Sequence, residues 1–436
     1  MKKSILTLFS CLTMTAAVMA QETELTPVEQ LKQRTETLEN AMKTLQKFKV
    51  SGYIQTQYQY CETDADGNNF KLAKGRNTQE TKDLDGFGRF GVRRGRIKFT
   101  YTDGLVEGVF QPDFTEKGVS FKDVYLSVKD PWFGTNSFKT GIFDRPFGHE
   151  IAYSSSRRES PERSRIVQSL FPDERDLGAM LTLQANKNSP WNILRLEVGL
   201  FAGNGIRPQI ESKMDFIGHL SVAKNIGDNI LIGGGVSTYL GSMYQGDSSV
   251  FVMKDNKFVL DSKNADNIGK YAKRQYFGLD LQFSMMTAAG LTQLRSEYIF
   301  GEHAGNKFSA YSFKTETLPT DATYMRKIAG GYVILTQDLG TTPFTFIAKY
   351  DWYNPNTEVS GNDITNKGEI LMSNIGLGAI WRINNALNLT AYYDIVKNEK
   401  TDKLKNTKNA DGKITAYGYE NDRKDNVFTL RLQYKF

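Results

Sequence analysis

The sequence predicts an all-β fold: a 16-stranded antiparallel transmembrane β-barrel, preceded by a short α-helix. Three observations predict it. Roughly sixteen segments of about ten to thirteen residues alternate apolar and polar side chains with a period of two, the length a tilted strand needs to cross a bilayer. Long and short connections between them largely alternate. Finally, 12% of the 436 residues are aromatic, and 38 Gly stand against only 11 Pro, a composition that favours strands and tight turns over helices.

The same composition excludes several function classes. A hydrophobic fraction of 39% and a mean hydropathy of -0.45 rule out a polytopic helical membrane protein. In a barrel every second residue faces water, so the average looks soluble. Two Cys and three His cannot build a disulfide framework or a Cys/His zinc cluster; no metal or other cofactor is implied. The formal charge of +6 gives no sign of a nucleic-acid-binding patch.

Met1, Lys2 and Lys3 precede the uncharged apolar run Ser4 to Met19, and Ala20 precedes Gln21. A basic start, an apolar run and a small residue before the cut are the marks of a secretory signal peptide, here 1–20. Its removal lowers the charge to +4. A competing lipoprotein site at Leu8-Phe9-Ser10-Cys11 would leave an apolar stretch behind the lipidated Cys11. With Cys11 removed, Cys61 is alone and no intramolecular disulfide forms.

Residues 21–49 form a periplasmic segment whose helix spans 25–48. Thr26 is a natural N-cap, Pro27 takes the first helical position, and Glu29 completes a capping box. Val28, Leu31, Thr35, Leu38, Met42 and Leu45 follow the a/d spacing of a short coiled coil. Two readings stay open: an oligomerisation stalk, or an amphipathic helix resting on the body of the protein.

Residues 50–436 are the barrel. Strands are expected at 50–60, 90–102, 104–113, 119–129, 137–145, 177–187, 193–202, 212–224, 229–241, 271–285, 290–301, 323–337, 343–354, 371–383, 386–398 and 425–436. The last shows the pattern best: Phe428, Leu430, Leu432, Tyr434 and Phe436 share one face, and Thr429, Arg431, Gln433 and Lys435 the other. Long loops are expected at 61–89, 146–176, 242–270, 302–322, 355–370 and 399–424. Tight turns are expected at Asp103-Gly104, Asn225 to Asp228, Asp338 to Thr342 and Asn384-Asn385. Loops long on one side and short on the other are the pattern of outer-membrane barrels. Trp132 and Trp191 fall at short turns, and Trp352 and Trp381 near strand ends, where aromatic girdles lie.

The terminal Phe436, after an alternating aromatic strand, resembles the C-terminal assembly signal of Gram-negative outer-membrane barrels. Four further stretches resemble the phosphate-selective porin O/P family. They are Val92-Arg93-Arg94-Gly95-Arg96-Ile97-Lys98-Phe99, Gly141-Ile142-Phe143-Asp144-Arg145-Pro146-Phe147-Gly148, Gly203-Asn204-Gly205, and Ala348-Lys349-Tyr350-Asp351-Trp352-Tyr353-Asn354-Pro355-Asn356. Their order and spacing carry the resemblance, and the leader and helix resemble members from Bacteroidetes. The resemblance implies a 16-stranded, trimeric channel for anions such as phosphate. The expected partners are outer-membrane lipid, the barrel-assembly machinery and two further copies of the chain.

In such a channel the chemistry is the potential and width of a water-filled constriction. Bases outnumber acids on the inward face, which predicts a mild anion preference. Arg94, Arg96 and Lys98 would stack as a ladder on one strand, able to pass an oxyanion between guanidinium forks; the alternative is that they pair with lumen acids and stiffen the wall. The loop 146–176 is the expected constriction, with Arg145 at its entry and Arg157, Arg158, Arg163 and Arg165 in its core. Acids offset these arginines within the loop, which leaves organic acids or oligosaccharides open as solutes. A barrel-borne hydrolase using His219 or His149 finds no Ser/His/acid spacing. An outer-membrane anchor or adhesin would need larger exposed regions.

Overall fold

A computed structural model describes residues 27–62, 69–72, 86–310, 316–423 and 425–436. The expected leader, the Thr26 cap and most of the first long loop lie outside them. The described residues divide into two units, one ending at Phe48 and one from Lys49 to Phe436. The first contains helix α1 (Pro27–Gln46), along which Val28, Leu31, Leu38, Met42 and Leu45 are exposed. Among the described residues no helix is long and apolar enough to cross a membrane.

The second unit is a closed barrel. Its strands are β1 (Phe48–Cys61), β2 (Phe87–Asp103), β3 (Val106–Thr115), β4 (Gly118–Lys129), β5 (Ser137–Asp144), β6 (Arg175–Gln184), β7 (Leu194–Phe201), β8 (Asp215–Ile226) and β9 (Ile230–Tyr244). After a hairpin of β10 (Ser249–Lys254) and β11 (Lys257–Lys263) come β12 (Tyr271–Thr287), β13 (Gly290–Gly305), β14 (Thr323–Asp338), β15 (Phe344–Asn354), β16 (Met372–Arg382) and β17 (Leu387–Asn398). A second small hairpin, β18 (Thr407–Lys408) and β19 (Ile414–Ala416), precedes β20 (Val427–Lys435). Sixteen of these strands make the wall. β9 pairs with β12, β17 with β20, and β20 returns to β1 from Tyr53↔Lys435 to Cys61↔Val427, so no edge stays open.

Alternation explains where this wall resides. Along β20, Thr429, Arg431 and Gln433 are buried inward while Leu430, Leu432 and Tyr434 are exposed outward. The same holds around the ring, for example Phe110, Leu126, Phe277, Leu335 and Leu377. A closed barrel with an apolar outer belt satisfies every strand hydrogen bond internally and presents only greasy side chains to lipid. The chain is therefore an outer-membrane barrel protein.

Two features of the connections depart from expectation. The long segments 242–270 and 399–424 contain the hairpins β10–β11 and β18–β19. The β3–β4 link, on the long-loop rim, is a two-residue turn closed by Thr115↔Gly118. Both are local turn chemistry within polar stretches, where the period-two signal is weak.

The core lies inside the lumen. Phe147, Ile151, Ile166, Val167, Leu170 and Phe171, all from the segment between β5 and β6, pack against Phe143, Met180, Phe201, Ile217, Tyr239, Tyr276, Ile299, Ile328 and Tyr353 of the wall. Burying each loop side chain contributes roughly 1.5–3 kcal/mol, enough to hold the segment inside. Part of it forms the short helix α2 (Arg165–Leu170), about one and a half turns inside the loop expected at 146–176.

Candidate functional site in the barrel lumen

The segment 146–176 enters from β5 through Pro146-Phe147-Gly148. Gly148 has φ +62, and a Cβ there would collide with the Glu297 carboxylate; only glycine fits the turn. Its amide donates to Ser237 Oγ (2.8 Å), and the His149 and Glu150 amides donate to Glu297 Oε2 at 3.2 and 3.1 Å. The segment is thus fastened to β9 and β13. Further on, Gln55 and Gln433 donate to the carbonyls of Ser155 and Ser156 (3.1 Å each), and Asp351 accepts from the Arg165 amide at 2.9 Å. It crosses the whole lumen.

At its far side sits the charge hub. Glu162 accepts from Arg93 Nε and Nη2 at 2.8 Å each, and from Arg94 Nη2 and Arg431 Nη2 at 3.2 Å each. Burial alone would raise the pKa of this carboxyl, but Arg93, Arg94 and Arg431 outweigh it and hold the group well below the usual range. The return turn carries Asp173 and Glu174 at φ 63 and 65, a left-handed conformation that costs non-glycine residues energy. It aims Glu174 at Arg163 and Arg175, and Asp173 at Lys122 (3.7 Å). Arg175 also bridges Asp123 (2.9 Å) and Asp144 (3.1 Å).

Among the described residues, two charged cavities lie beside this segment, mainly against the early strands. One of about 230 Å³ is bounded by Lys71, Arg93, Arg94, Arg96, Lys122 and Arg163, with Asp113, Glu162, Asp173 and Glu174. Burial, and then Arg165, push Lys71 down to about 7. The other, about 450 Å³, lies toward the short-turn rim, among Lys98, Asp123, Tyr125, Lys139, Asp144, Arg145, Tyr153, Arg195, Glu197, His219 and Asp280. Arg175 and its carboxylates stand between them. Burial, followed by Arg295, lowers His149 at the segment's edge to about 4.

The expected site residues divide between these places. Arg94 and Arg96 face the smaller cavity but are paired, Arg94 with Glu162 and Gln55 Oε1 (2.9 Å), Arg96 with Asp113 (2.9 Å). Lys98 opens onto the larger cavity instead, so the loop divides the expected ladder. Arg145 pairs with Asp176 at 3.0 Å. Arg158 donates to the carbonyls of Ser160 (3.2 Å) and Pro161 (2.9 Å), and burial and Arg163 lower its pKa to about 10. Arg163 ties the carbonyls of Glu150, Ile151 and Tyr153 to Glu174. Arg165 is buried in α2, whereas Arg157 is exposed. Phe436 exchanges backbone hydrogen bonds with Gly52 at 2.9 and 3.0 Å, sealing the last strand to the first. These loop arginines, apart from Arg157, organise the segment itself. His219 pairs with Asp280 at 3.0 Å, and the serine opposite it, Ser237, has its Oγ engaged by Gly148.

Sequence reasoning missed three residues that matter: Glu162 as hub, Arg175 as divider and Arg93 as a partner. Parity assigns Arg93 to the outer face, yet Arg93 and Arg94 reach the same carboxylate. No periodic signal marks such a break.

Comparison with known proteins agrees on architecture. No family model and no curated protein matches the chain, so the likeness to the phosphate-selective porin O/P family rests on the sequence motifs alone. Among solved structures, the outer membrane channel DcaP of Acinetobacter baumannii is similar with a TM-score of 0.52 at 12% identity, covering 89% of this chain and 97% of that one. OprB of Pseudomonas putida gives a TM-score of 0.52 at 10% identity, covering 93% and 96% respectively. At such identities the shared property is the fold.

Proposed function

We propose that this chain is a passive diffusion porin of the outer membrane, mildly anion-preferring, with its solute path displaced to one side of the lumen. One observation carries the reading. The inserted segment packs its apolar side chains against wall residues of β5–β9 and β12–β15 and leaves two charged cavities, bounded mainly by the early strands. In the smaller cavity six bases stand against four acids; in the larger, four stand against four. A small cationic excess focused by low-dielectric walls enriches anions modestly. Phosphate enters as one small oxyanion among several, because the arginines that would grip it are already engaged by carboxylates and carbonyls. The chain performs no chemistry on its solute.

Within this reading the first 20 residues are removed as a signal peptide, and residues 21–49 are a periplasmic helical segment. The barrel-assembly machinery reads the strand that ends in Phe436, and three copies associate in outer-membrane lipid. Organic acids or oligosaccharides form the second solute reading, favoured by Tyr125, Phe143 and Tyr153 beside the larger cavity. The test is a reversal potential across a planar bilayer in a salt gradient with the purified protein. A small potential of anion sign is expected; a cation-selective or non-conducting protein would overturn the proposal.

A further inference from the structure

The larger cavity contains two bases that the ion-pair network leaves over. Around it, Arg145 is paired with Asp176 and Arg195 with Glu197 (2.6 Å). Among the described residues, Lys98 and Lys139 have no carboxylate within ion-pair distance. The acids nearby are taken: Asp123 and Asp144 by Arg175, Glu197 by Arg195. Both lysines converge on one ring, Lys139 Nζ at 4.7 Å and Lys98 Nζ at 6.0 Å from the Tyr125 centroid. Lys139 Nζ also lies 5.3 Å from the Phe143 centroid. Tyr125 is itself positioned, its hydroxyl donating to Glu107 at 3.4 Å.

Resting on the channel reading, we propose that Lys98 and Lys139 form the anion-binding subsite, for small organic anions whose oxyanion head spans both ammonium groups. The body of such a solute has apolar neighbours in Tyr125, Tyr153, Met180 and Val222, which share the cavity lining. Bare phosphate gains nothing from them, and about 450 Å³ is far more room than it needs. Two flexible ammonium groups suit this role, because each is a point charge that follows the head group as it moves. The arginines, locked in bidentate and backbone hydrogen bonds, cannot follow.

The experiment compares wild type, Lys98→Gln/Lys139→Gln and Lys98→Arg/Lys139→Arg, using benzoate and phosphate as probes. Removing one charge about 5 Å from the path, screened at moderate salt, lowers the anion-to-cation permeability ratio about fivefold, and removing both lowers it about 25-fold. The double Gln variant should therefore lose most anion preference, and the Arg variant should keep it. Benzoate should block chloride current in wild type and not in the double Gln variant. Titration calorimetry on detergent-solubilised protein reads benzoate binding without any current. Loss of binding in the double Gln variant, with an unchanged β-sheet spectrum, supports the subsite; unchanged binding and selectivity overturn it. Phosphate binding as tightly as benzoate overturns the solute class. A wild type that binds benzoate through these lysines but shows no anion preference would instead count against the channel reading alone.

Discussion

Replacing Glu162 by Gln isolates the contribution of the charge hub. Three guanidinium groups contact this carboxylate at 2.8–3.2 Å, so the substitution leaves the smaller cavity with six bases against three acids. For an ion passing about 5 Å away, one unit charge in water is worth about 0.8 kcal/mol, falling to about 0.5 kcal/mol with a Debye length near 10 Å. Anions gain this and cations lose it, so the permeability ratio should rise about fivefold in favour of anions. Breaking the buried pair should also cost roughly 3–5 kcal/mol of stability, offset in part by hydrogen bonds the amide can still make. The assay is a reversal potential in a potassium chloride gradient, with thermal unfolding in detergent as a control. The acid side has a definite sign. Because the folded carboxyl titrates well below its unfolded range, its stabilisation is fully present above the unfolded pKa and is lost only as pH falls through the depressed value. Wild-type selectivity from this group should therefore be flat between pH 7 and 5. An assembled E162Q barrel with unchanged selectivity would refute a solute path along this cavity.

Three further outcomes are expected. Lys71, lowered to about 7 by burial and then Arg165, should lose its charge between pH 6 and 8, so anion preference should fall over that interval; Lys71→Met should flatten the profile and leave conductance measurable. Gly148→Ala should push the inserted segment off Glu297, costing about 1–2 kcal/mol for the left-handed backbone alone and more for the contact. Single-channel conductance should rise and limited proteolysis should cut within 146–176; an unaltered conductance would mean the turn absorbs the methyl group. Deleting residues 27–46, whose apolar seam is exposed, should weaken a trimer on native gels, whereas an intact trimer would assign assembly to the barrel wall.

The legible part of this molecule is the part governed by a short period. Leu430, Leu432 and Tyr434 against Thr429, Arg431 and Gln433 read directly as lipid side and water side, because a strand sends successive side chains to opposite faces. The strand ends followed from the turn chemistry, as at Asp103-Gly104, where Gly104 has φ +58. The site was legible only as a composition: a long loop rich in Ser, Arg and Glu following the fifth strand. Which arginine meets which acid was not, since partners such as Arg431 and Glu162 are 269 residues apart.

The sequence by itself determined a closed, lipid-facing barrel of sixteen strands, because alternation over ten or more residues permits few other ways of satisfying the backbone in a bilayer. Only the tertiary structure decided how charge is distributed inside it. Phe147, Ile166 and Phe171 fold the segment against the β9–β14 wall, and that packing brings Glu162 onto Arg93, Arg94 and Arg431 while leaving Lys98 and Lys139 without an ion-paired carboxylate among the described residues. Whether a lumen charge is neutralised or available depends on distances of 3–4 Å between remote segments, and no local pattern encodes those.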